Sequence, residues 1–463
     1  MKLTKLSLVA ALAVSTAFAG GDIAPVEPAP MVETSPWTFG GDARLYYDTM
    51  ITDQAGSPSF FDQASARGQG AASVDIGYAF ADTWKINAGV TGLFTLGLDD
   101  AVVSGVWLNA GANVPGTTLT SVGDALWIDT LNVTGTMFDG ALTTVIGRQE
   151  LDTPFAFSEQ WTIAANTFDA AVAIVKPIDE LSLVAAYIYD GNGNGNRVST
   201  FAASPAIAGT GPVNVFGNSA GGFTGSRGYV PFAGADKGAW TVAAIGTFAG
   251  VTAQAWYYDV LDLAQATWVQ ADADFAGFQI GAQYAWMQGD GLISTITDTK
   301  GLAGKLGYKM DALNVWGAYS TVADDGFLAL GNTATMLNNA GWGGGNGSGQ
   351  SKLYTEAWWN YGLVSQPGSD SFALAADYNF GDISIVNGVS LMGQYTSISN
   401  STTTGGFTSN FDLDEFTAVA GGTIYGLNVQ LAYIWADYSW NTDTATPINY
   451  NSDTIQAYLT YQF

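Results

Sequence analysis

The stretch that decides the fold is the carboxy-terminal sequence SDTIQAYLTYQF, residues 452–463. Its side chains alternate in character along the chain, and the last residue is the aromatic Phe463. One face carries Ile455, Ala457, Leu459, Tyr461 and Phe463, and the other carries Thr454, Gln456, Tyr458, Thr460 and Gln462. A period of two predicts a β-strand with one face in an apolar environment.

The same alternation recurs through most of the chain, for example in residues 37–49, 84–96 and 370–380. Tight turns join some of these segments, whereas long, polar, glycine-rich connections such as 190–237 and 321–369 join others. Short turns alternating with long loops are typical of an outer-membrane barrel. The segments predict eighteen strands, and a count of sixteen or twenty stays open.

The composition excludes several classes of function. The chain has 463 residues with no Cys and no His, so Ser-His-Asp catalysis, Cys-His catalysis and the usual zinc sites are ruled out. We therefore expect no enzyme activity, no metal and no cofactor. The formal net charge of -27 makes nucleic acid an unlikely partner, because phosphate contacts need Lys and Arg.

The amino-terminal residues predict an export signal. Lys2 and Lys5 precede a short apolar run, and Ala17-Phe18-Ala19 has the pattern of a cleavage site. The predicted domains are a signal peptide (1–19), a proline-rich tether (20–36) and a β-barrel (37–463). Cleavage would remove two Lys and no acid, which leaves 12 basic against 41 acidic residues.

The apolar face of every hairpin needs a covering layer, and lipid can supply it. In lipid each backbone N–H and C=O must be paired, so the sheet has to close on itself. A secreted solenoid or propeller would need a regular sequence repeat, and only the hairpin rhythm recurs here. The prediction is an all-β transmembrane antiparallel β-barrel in the cell outer membrane, in contact with its lipid and lipopolysaccharide.

Two stretches carry a family resemblance. Residues 146–155 (IGRQELDTPF), followed by 166–169 (NTFD), resemble the constriction region of OprD-like porins. Residues 1–12 resemble the start of the major outer-membrane porins of epsilon-class proteobacteria. The resemblance implies an eighteen-stranded channel, a third external loop folded into the lumen and, in many relatives, a homotrimer. The row of lumenal Arg and Lys found in such channels is not matched by 12 mature basic residues, so the family's preference for carboxylates does not carry over.

The alternation also assigns charges to the lumen. The inward set is Asp42, Asp48, Asp75, Asp272, Asp274 and Asp377, against Arg44, Lys85, Lys305 and Lys309. The residues predicted to line the pore or its constriction are Arg44, Asp48, Lys85, Arg148, Glu150, Asp152, Glu159, Lys305 and Asp377.

Arg148 conflicts with its own strand, because it shares a face with Leu142 and Ile146. A basic side chain that faces lipid at the midplane costs about 2–4 kcal/mol. We therefore expect Arg148 to point inward or to lie beyond the hydrocarbon.

These features predict a porin for passive diffusion of small hydrophilic solutes and ions. Because acidic residues lead in the lumen, weak cation selectivity is expected. The alternative is a surface adhesin or structural barrel that makes contacts through loops 190–237 and 321–369. Residues 190–195 match only the first half of a calcium loop, and the favoured interpretation is a flexible loop.

Overall fold

The computed structural model describes residues 35–94, 96–97, 102, 125–159, 163–192, 230–231, 237–291, 294, 297–326, 328–332, 350–402, 409–440 and 448–463. The predicted signal peptide and all but the last two residues of the predicted tether lie outside the described residues, as does the second half of the calcium-like stretch. Among the described residues, no helix is long and apolar enough to cross a membrane.

Eighteen strands form the wall of the molecule. They are β1 (Trp37–Thr52), β2 (Ala66–Ala81), β3 (Trp84–Phe94), β4 (Ala125–Met137), β5 (Leu142–Gln149), β6 (Phe168–Ile178), β7 (Leu181–Gly191), β8 (Ala239–Phe248), β9 (Val251–Val260), β10 (Ala264–Phe275), β11 (Phe278–Gly289), β12 (Thr299–Met310), β13 (Leu313–Val322), β14 (Ser369–Ile383), β15 (Val386–Thr402), β16 (Ser409–Ile424), β17 (Leu427–Trp440) and β18 (Ile448–Gln462). A two-residue strand, Val230–Pro231, pairs with the end of β7.

The sheet closes because the first strand pairs with the last. Strands β1 and β18 run antiparallel in a register that extends from Asp42 opposite Gln462 to Thr52 opposite Ser452. The backbone of Phe463 continues this seam, since its N–H donates to the carbonyl of Gly41 at 3.0 Å and its carbonyl accepts from the Gly41 N–H at 3.1 Å. The predicted eighteen-stranded antiparallel barrel is confirmed.

The two faces of the wall follow the alternation of the sequence. Large apolar side chains on the outer face are exposed, as at Leu306 and Leu374. Polar side chains on the inner face are buried, as at Gln270 and Gln283. Lipid is the solvent that covers an apolar outer wall of this kind.

The connections differ between the two ends of the barrel. At one end the strands are joined by short turns, such as Ala276–Gly277 between β10 and β11. At the other end most connections are longer, and the described parts of two of them fold into the lumen: L3, between β5 and β6 (150–159 and 163–167), and L7, between β13 and β14 (323–326, 328–332 and 350–368). Phe155 of L3 and Tyr354 of L7 are both almost completely buried. As expected, residues 354–361 belong to a loop and not to a strand.

Candidate functional site: the pore constriction

The first arm of L3 folds into a compact turn. Asp152 and Phe157 form an isolated antiparallel bridge, and the Ser158 N–H donates to the Leu151 carbonyl at 2.7 Å. The Thr153 hydroxyl donates to the Ala156 carbonyl at 2.6 Å. The side chain of Thr153 and the proline that follows it therefore shape the turn.

An aromatic contact joins this turn to the barrel wall. The ring of Phe155 meets Tyr258 on β9 and Trp268 on β10 edge to face, with centroids 5.5 and 5.6 Å apart. Edge-to-face pairs of buried rings add stability beyond the area that they bury. This contact holds one side of L3 against the wall.

On the opposite side, Arg44 of β1 holds the second arm of L3. Its Nη1 donates to the Ile163 carbonyl at 2.9 Å, and its Nη2 donates to Asp42. Ile163 itself is buried against a cluster of wall residues that includes Tyr46. L3 therefore crosses the lumen from β9–β10 to β1.

L7 contacts L3 inside the lumen. The Asn332 side chain accepts from the Phe157 N–H at 3.2 Å and donates to the Phe157 carbonyl at 2.7 Å. It also donates to Glu159 at 2.7 Å, and the Gln350 N–H donates to the same carboxylate at 2.9 Å. Lys352 Nζ pairs with Asp152 at 2.8 Å and lies 4.3 Å from the centroid of the Phe157 ring. The two loops therefore form one constriction.

L7 in turn is organised by two buried carboxylates. Glu356, inside the loop, accepts from the N–H groups of Ser351, Ala357 and Gly362. Burial raises the pKa of the Glu356 carboxyl to about 7, although these donors favour its charged form.

The second carboxylate is Glu415 on the wall strand β16, which is only 2% exposed. It accepts from the N–H groups of Trp359 and Asn360 at 3.0 and 2.9 Å and from the Asn360 side chain at 2.7 Å. Because carboxylate acceptors make strong hydrogen bonds, Glu415 fixes this part of L7 to the wall.

Further along the wall, Tyr354 of L7 enters a polar cluster on β10–β12. Its hydroxyl donates to Asp272 at 2.6 Å, and Lys305 Nζ lies 4.6 Å from its ring centroid and 3.9 Å from the Asp272 carboxylate. A Cβ on Gly281 would clash with the Tyr354 hydroxyl, so glycine is required there to admit the ring. The structure thus places the predicted residue Lys305 in the lumen, beneath L7.

Near the second arm of L3, four carboxylates and one guanidinium lie within electrostatic reach of one another. Glu150 interacts electrostatically with Arg44, Asp42, Asp75 and Asp129. We call these five residues the eyelet. Asp75 of β2 and Asp129 of β4 both lean over Gly89 of β3, where a Cβ would clash with each carboxyl oxygen. The glycine therefore makes room for two acids on the same patch of wall.

Glu150 is the eyelet acid that L3 contributes. The surface of its side chain is exposed, and that surface faces the lumen, inside the barrel wall. Desolvation by this enclosure raises the pKa of the Glu150 carboxyl to about 7; Arg44 acts against this shift, and Asp129, Asp75 and Asp42 add to it. Its charge therefore changes near neutral pH.

The remaining predicted residues lie elsewhere in the lumen. Asp48 accepts from Arg67 at 3.0 and 2.7 Å and from the Tyr46 hydroxyl at 2.6 Å. Asp377 accepts from the Asn314 side chain at 2.9 Å. Lys85, on β3, lies opposite Ala79 near the short-turn end of the barrel.

For Arg148, the structure places the side chain on the outer face of the wall. It pairs with Asp169, directly opposite on β6, at 2.8 and 2.9 Å, and its Nη1 donates to the Ile128 carbonyl at 2.9 Å. Its other cross-strand neighbour, Leu131, is 51% exposed, as an outward side chain should be. Arg148 thus follows the alternation of β5 and does not line the pore, because Asp169 provides its charge partner near the long-loop end of the strand.

Sequence reasoning missed Arg67, Asp129, Lys352 and Asn332. Arg67 could have been found, because stepping back from Asp75 in twos along β2 reaches position 67. Asp129 lies at a register shift between β3 and β4, which interrupts the alternation there. No sequence pattern indicates that Lys352 and Asn332 meet L3.

Comparisons with known proteins agree with this architecture. No protein-family model matches the chain, and no curated protein matches it. Solved structures do match: OccK2 (OpdF) of Pseudomonas aeruginosa has a TM-score of 0.63 at 14% identity, covering 92% of this chain and 97% of that one. OccAB4 of Acinetobacter baumannii has a TM-score of 0.60 at 13% identity, covering 94% and 100%.

A BenF-like porin from Pseudomonas fluorescens Pf-5 also matches, with a TM-score of 0.60 at 12% identity, covering 92% of this chain and 99% of that one. The coverage is nearly complete in both directions, and the identity is low throughout. The epsilon-class part of the resemblance has no counterpart among these matches. The chain has the fold of the OprD/OccK-type outer-membrane porins, a closed eighteen-stranded channel.

Proposed function

We propose that the protein is a porin for passive diffusion of small hydrophilic solutes and ions, with weak cation selectivity set at the eyelet. The observation that carries this proposal is the charge balance there: the charges that act most strongly on Glu150 among the described residues are one guanidinium, Arg44, and three carboxylates, Asp129, Asp75 and Asp42. A negative field at the narrow part of a pore favours cations.

The guanidinium of Arg44 offsets only part of this field, because it is one positive charge beside four carboxylates and it pairs with Asp42. Among the other acids of L3, Asp152 pairs with Lys352, and Glu159 is buried and accepts hydrogen bonds from Asn332 and Gln350. Glu150 is therefore the L3 acid with the largest expected influence on selectivity.

We expect this channel to prefer different solutes from those bound in two of the matching structures. Solved structures of OccK2 and OpdK hold glucuronate and vanillate, respectively, and both ligands are carboxylates. An acidic eyelet repels a carboxylate, so we propose that neutral and cationic solutes pass this channel more readily than anions.

The test is the reversal potential across a KCl gradient in a planar bilayer. We expect cation preference at low salt that fades at high salt, because the Debye length falls from about 10 Å at 0.1 M to about 3 Å at 1 M. Glu150→Gln should weaken the preference. Asp377→Asn removes a lumenal acid of β14, outside the eyelet, and serves as the matched control with a smaller effect.

The possible outcomes separate the hypotheses. Anion preference at low salt would overturn the selectivity. If the folded barrel showed no conductance at all, the porin function would fail and the adhesin or structural alternative would stand.

We also propose that the exported chain begins at Gly20, and that it forms a homotrimer in a membrane containing lipopolysaccharide. The cleavage-like pattern at Ala17–Ala19 supports the first point, and the family resemblance supports the second. Amino-terminal sequencing of the purified protein tests the cleavage. Chemical crosslinking in native outer membranes tests the trimer, and a monomer on crosslinking would contradict it.

A further inference from the structure

Three adjacent strands of the barrel differ from the rest of the wall in their outer face. Within the described residues, β4, β5 and β6 carry no outward aromatic side chain, because Trp127 and Phe168 point into the lumen, where they are 8% and 0% exposed. Each of the other fifteen strands has at least one outward Phe, Tyr or Trp, as at Trp240, Tyr319 and Tyr461. The outer aromatic residues are therefore interrupted on one side of the barrel.

An ion pair lies on the outer face of the same sector. Arg148 of β5 pairs with Asp169 of β6, and Asp190 of β7, which lies opposite Asp169, interacts electrostatically with both. Leu131 and Ile146 lie on the outer face beside Arg148 and are 51% and 56% exposed, so the charges stand among apolar side chains. A charged side chain that faces lipid is destabilising, and more so toward the midplane. These charges therefore require polar surroundings that acyl chains do not supply.

The wall is also lowest in this sector. Strand β5 has eight residues, Leu142–Gln149, whereas β15, across the barrel, has seventeen. A tilted strand needs about 9–11 residues to cross the hydrocarbon. Strand β5 should therefore not reach the far side of the hydrocarbon, and Arg148, next to its end, should lie at the level of the acyl chains.

We propose that the outer face of β4–β6 is the surface through which copies of this chain associate, so that a second copy covers Arg148 and Asp169 in place of lipid. This inference rests on the homotrimer proposed above and adds where the subunits meet. The surface carries both signs of charge, so symmetry can place Arg148 of one subunit opposite Asp169 of the partner subunit. A protein neighbour also removes the need for the aromatic residues that face lipid elsewhere.

The shape and charge of this surface favour a second copy over a bound lipid. Thr144, Ala171 and Ala173 are small, so the outer face is flat enough for a second sheet to approach to about 10 Å. An anionic headgroup is a poorer partner for Arg148, because the two carboxylates beside it give the surface a net negative charge.

The first experiment maps the contact by crosslinking in the native outer membrane. The chain contains no Cys, so Ala171→Cys introduces a single thiol on the outer face of β6. Ala376→Cys introduces one at an exposed outward position of β14, on the far side of the barrel, and is the matched control. A bismaleimide should join Ala171→Cys subunits into a dimer on a denaturing gel, because one thiol per subunit allows one link. Ala376→Cys subunits should stay single.

The second experiment tests the charges. Arg148→Glu places like charges at the contact and should raise the concentration needed for half-maximal trimer in mild detergent by more than about tenfold. Exchanging both charges, with Arg148→Glu and Asp169→Arg in one chain, should restore association. Lys300→Glu is the matched control, because Lys300 forms an outward ion pair with Asp298 at 2.9 Å in a sector that has its aromatic residues, and the trimer should persist. Heat-modifiable electrophoretic mobility verifies that each variant is a folded barrel.

The outcomes separate the interface from the trimer and from the porin. A trimer whose Ala171→Cys subunits do not crosslink would overturn the interface and leave the homotrimer in place. A trimer that persists equally in Arg148→Glu and Lys300→Glu would also overturn it. A chain that is monomeric in the native membrane would overturn both the interface and the homotrimer, and conductance by that monomer would still support the porin function.

Discussion

L3 and L7 both fold into the lumen, but they are held there in different ways. L3 rests on a ring contact at Phe155, a guanidinium at Ile163 and its partner loop. L7 is organised around Glu356 and fixed to the wall by Glu415, which accepts three hydrogen bonds from the loop. Loss of one L3 contact leaves the others in place, whereas loss of Glu415 removes the acceptor that three partly buried donors of L7 share. We therefore expect the constriction to depend more on the docking of L7 than on any one contact of L3.

Glu415→Ala should have the largest effect and release this segment of L7. A hydrogen bond to a charged group contributes about 1.5–3 kcal/mol, so losing the acceptor that three partly buried donors share should destabilise the docked loop by about 3 kcal/mol. The measurement is the rate of limited proteolysis within 350–366 in the folded barrel. Glu415→Gln keeps one acceptor oxygen and should be milder. If L7 were equally protected from the protease in wild type and Glu415→Ala, Glu415 would not be what holds L7 against the wall.

Phe155→Ala should loosen L3 from β9 and β10 without releasing L7. Removing a buried Phe ring costs about 3 kcal/mol, since its contacts with Tyr258 and Trp268 are lost. Single-channel recordings should show a larger and noisier open current. Proteolysis within 350–366 should stay at the wild-type rate, and faster cleavage there would break the distinction between the two loops.

Lys352→Met and Lys305→Met form a matched pair with a smaller effect. Both lysines lie beside an aromatic ring and an aspartate, and both changes remove one lumenal positive charge. Of these two lysines, only Lys352 contacts a residue of L3. Since the ion pair is partly open to water, its loss costs about 1 kcal/mol or less. We expect more current fluctuation in Lys352→Met alone, whereas the change in selectivity should be similar in both.

The smallest expected effect is a pH dependence carried by Glu150. Its pKa is raised to about 7, so the carboxyl is neutral well below that pH and charged well above it. The eyelet therefore gains negative charge as pH rises, and cation preference should increase between about pH 6 and about pH 8. Reversal potentials at the two pH values measure this. Glu150→Gln should remove the increase, and a wild-type preference that is flat over this interval would contradict the assignment.

The fold was predictable because lipid imposes a two-residue period on every strand. The inward positions of Arg44, Asp48 and Asp377 follow directly from that period. The charge partners do not, because they come from loops and irregular positions. Lys352 meets Asp152 across the lumen, and Asp129 enters the eyelet where the register shifts. Arg148 keeps the outward position that the alternation gives it, so of the two expected outcomes the inward one is wrong, and Asp169 on the next strand supplies its charge partner.

The seam between β1 and β18 has a consequence for assembly. Residues 42–52 pair with residues 452–462, so the two strands that close the barrel are the first and the last of its eighteen strands. Such a contact spans nearly the whole sequence, and pairing over long separations is slow. Until β18 arrives, the sheet has two open edges, and an open edge invites aggregation and is not tolerated in hydrocarbon. The unfinished chain must therefore be shielded until translocation is complete, and a chain truncated before β18 should never become a stable membrane protein.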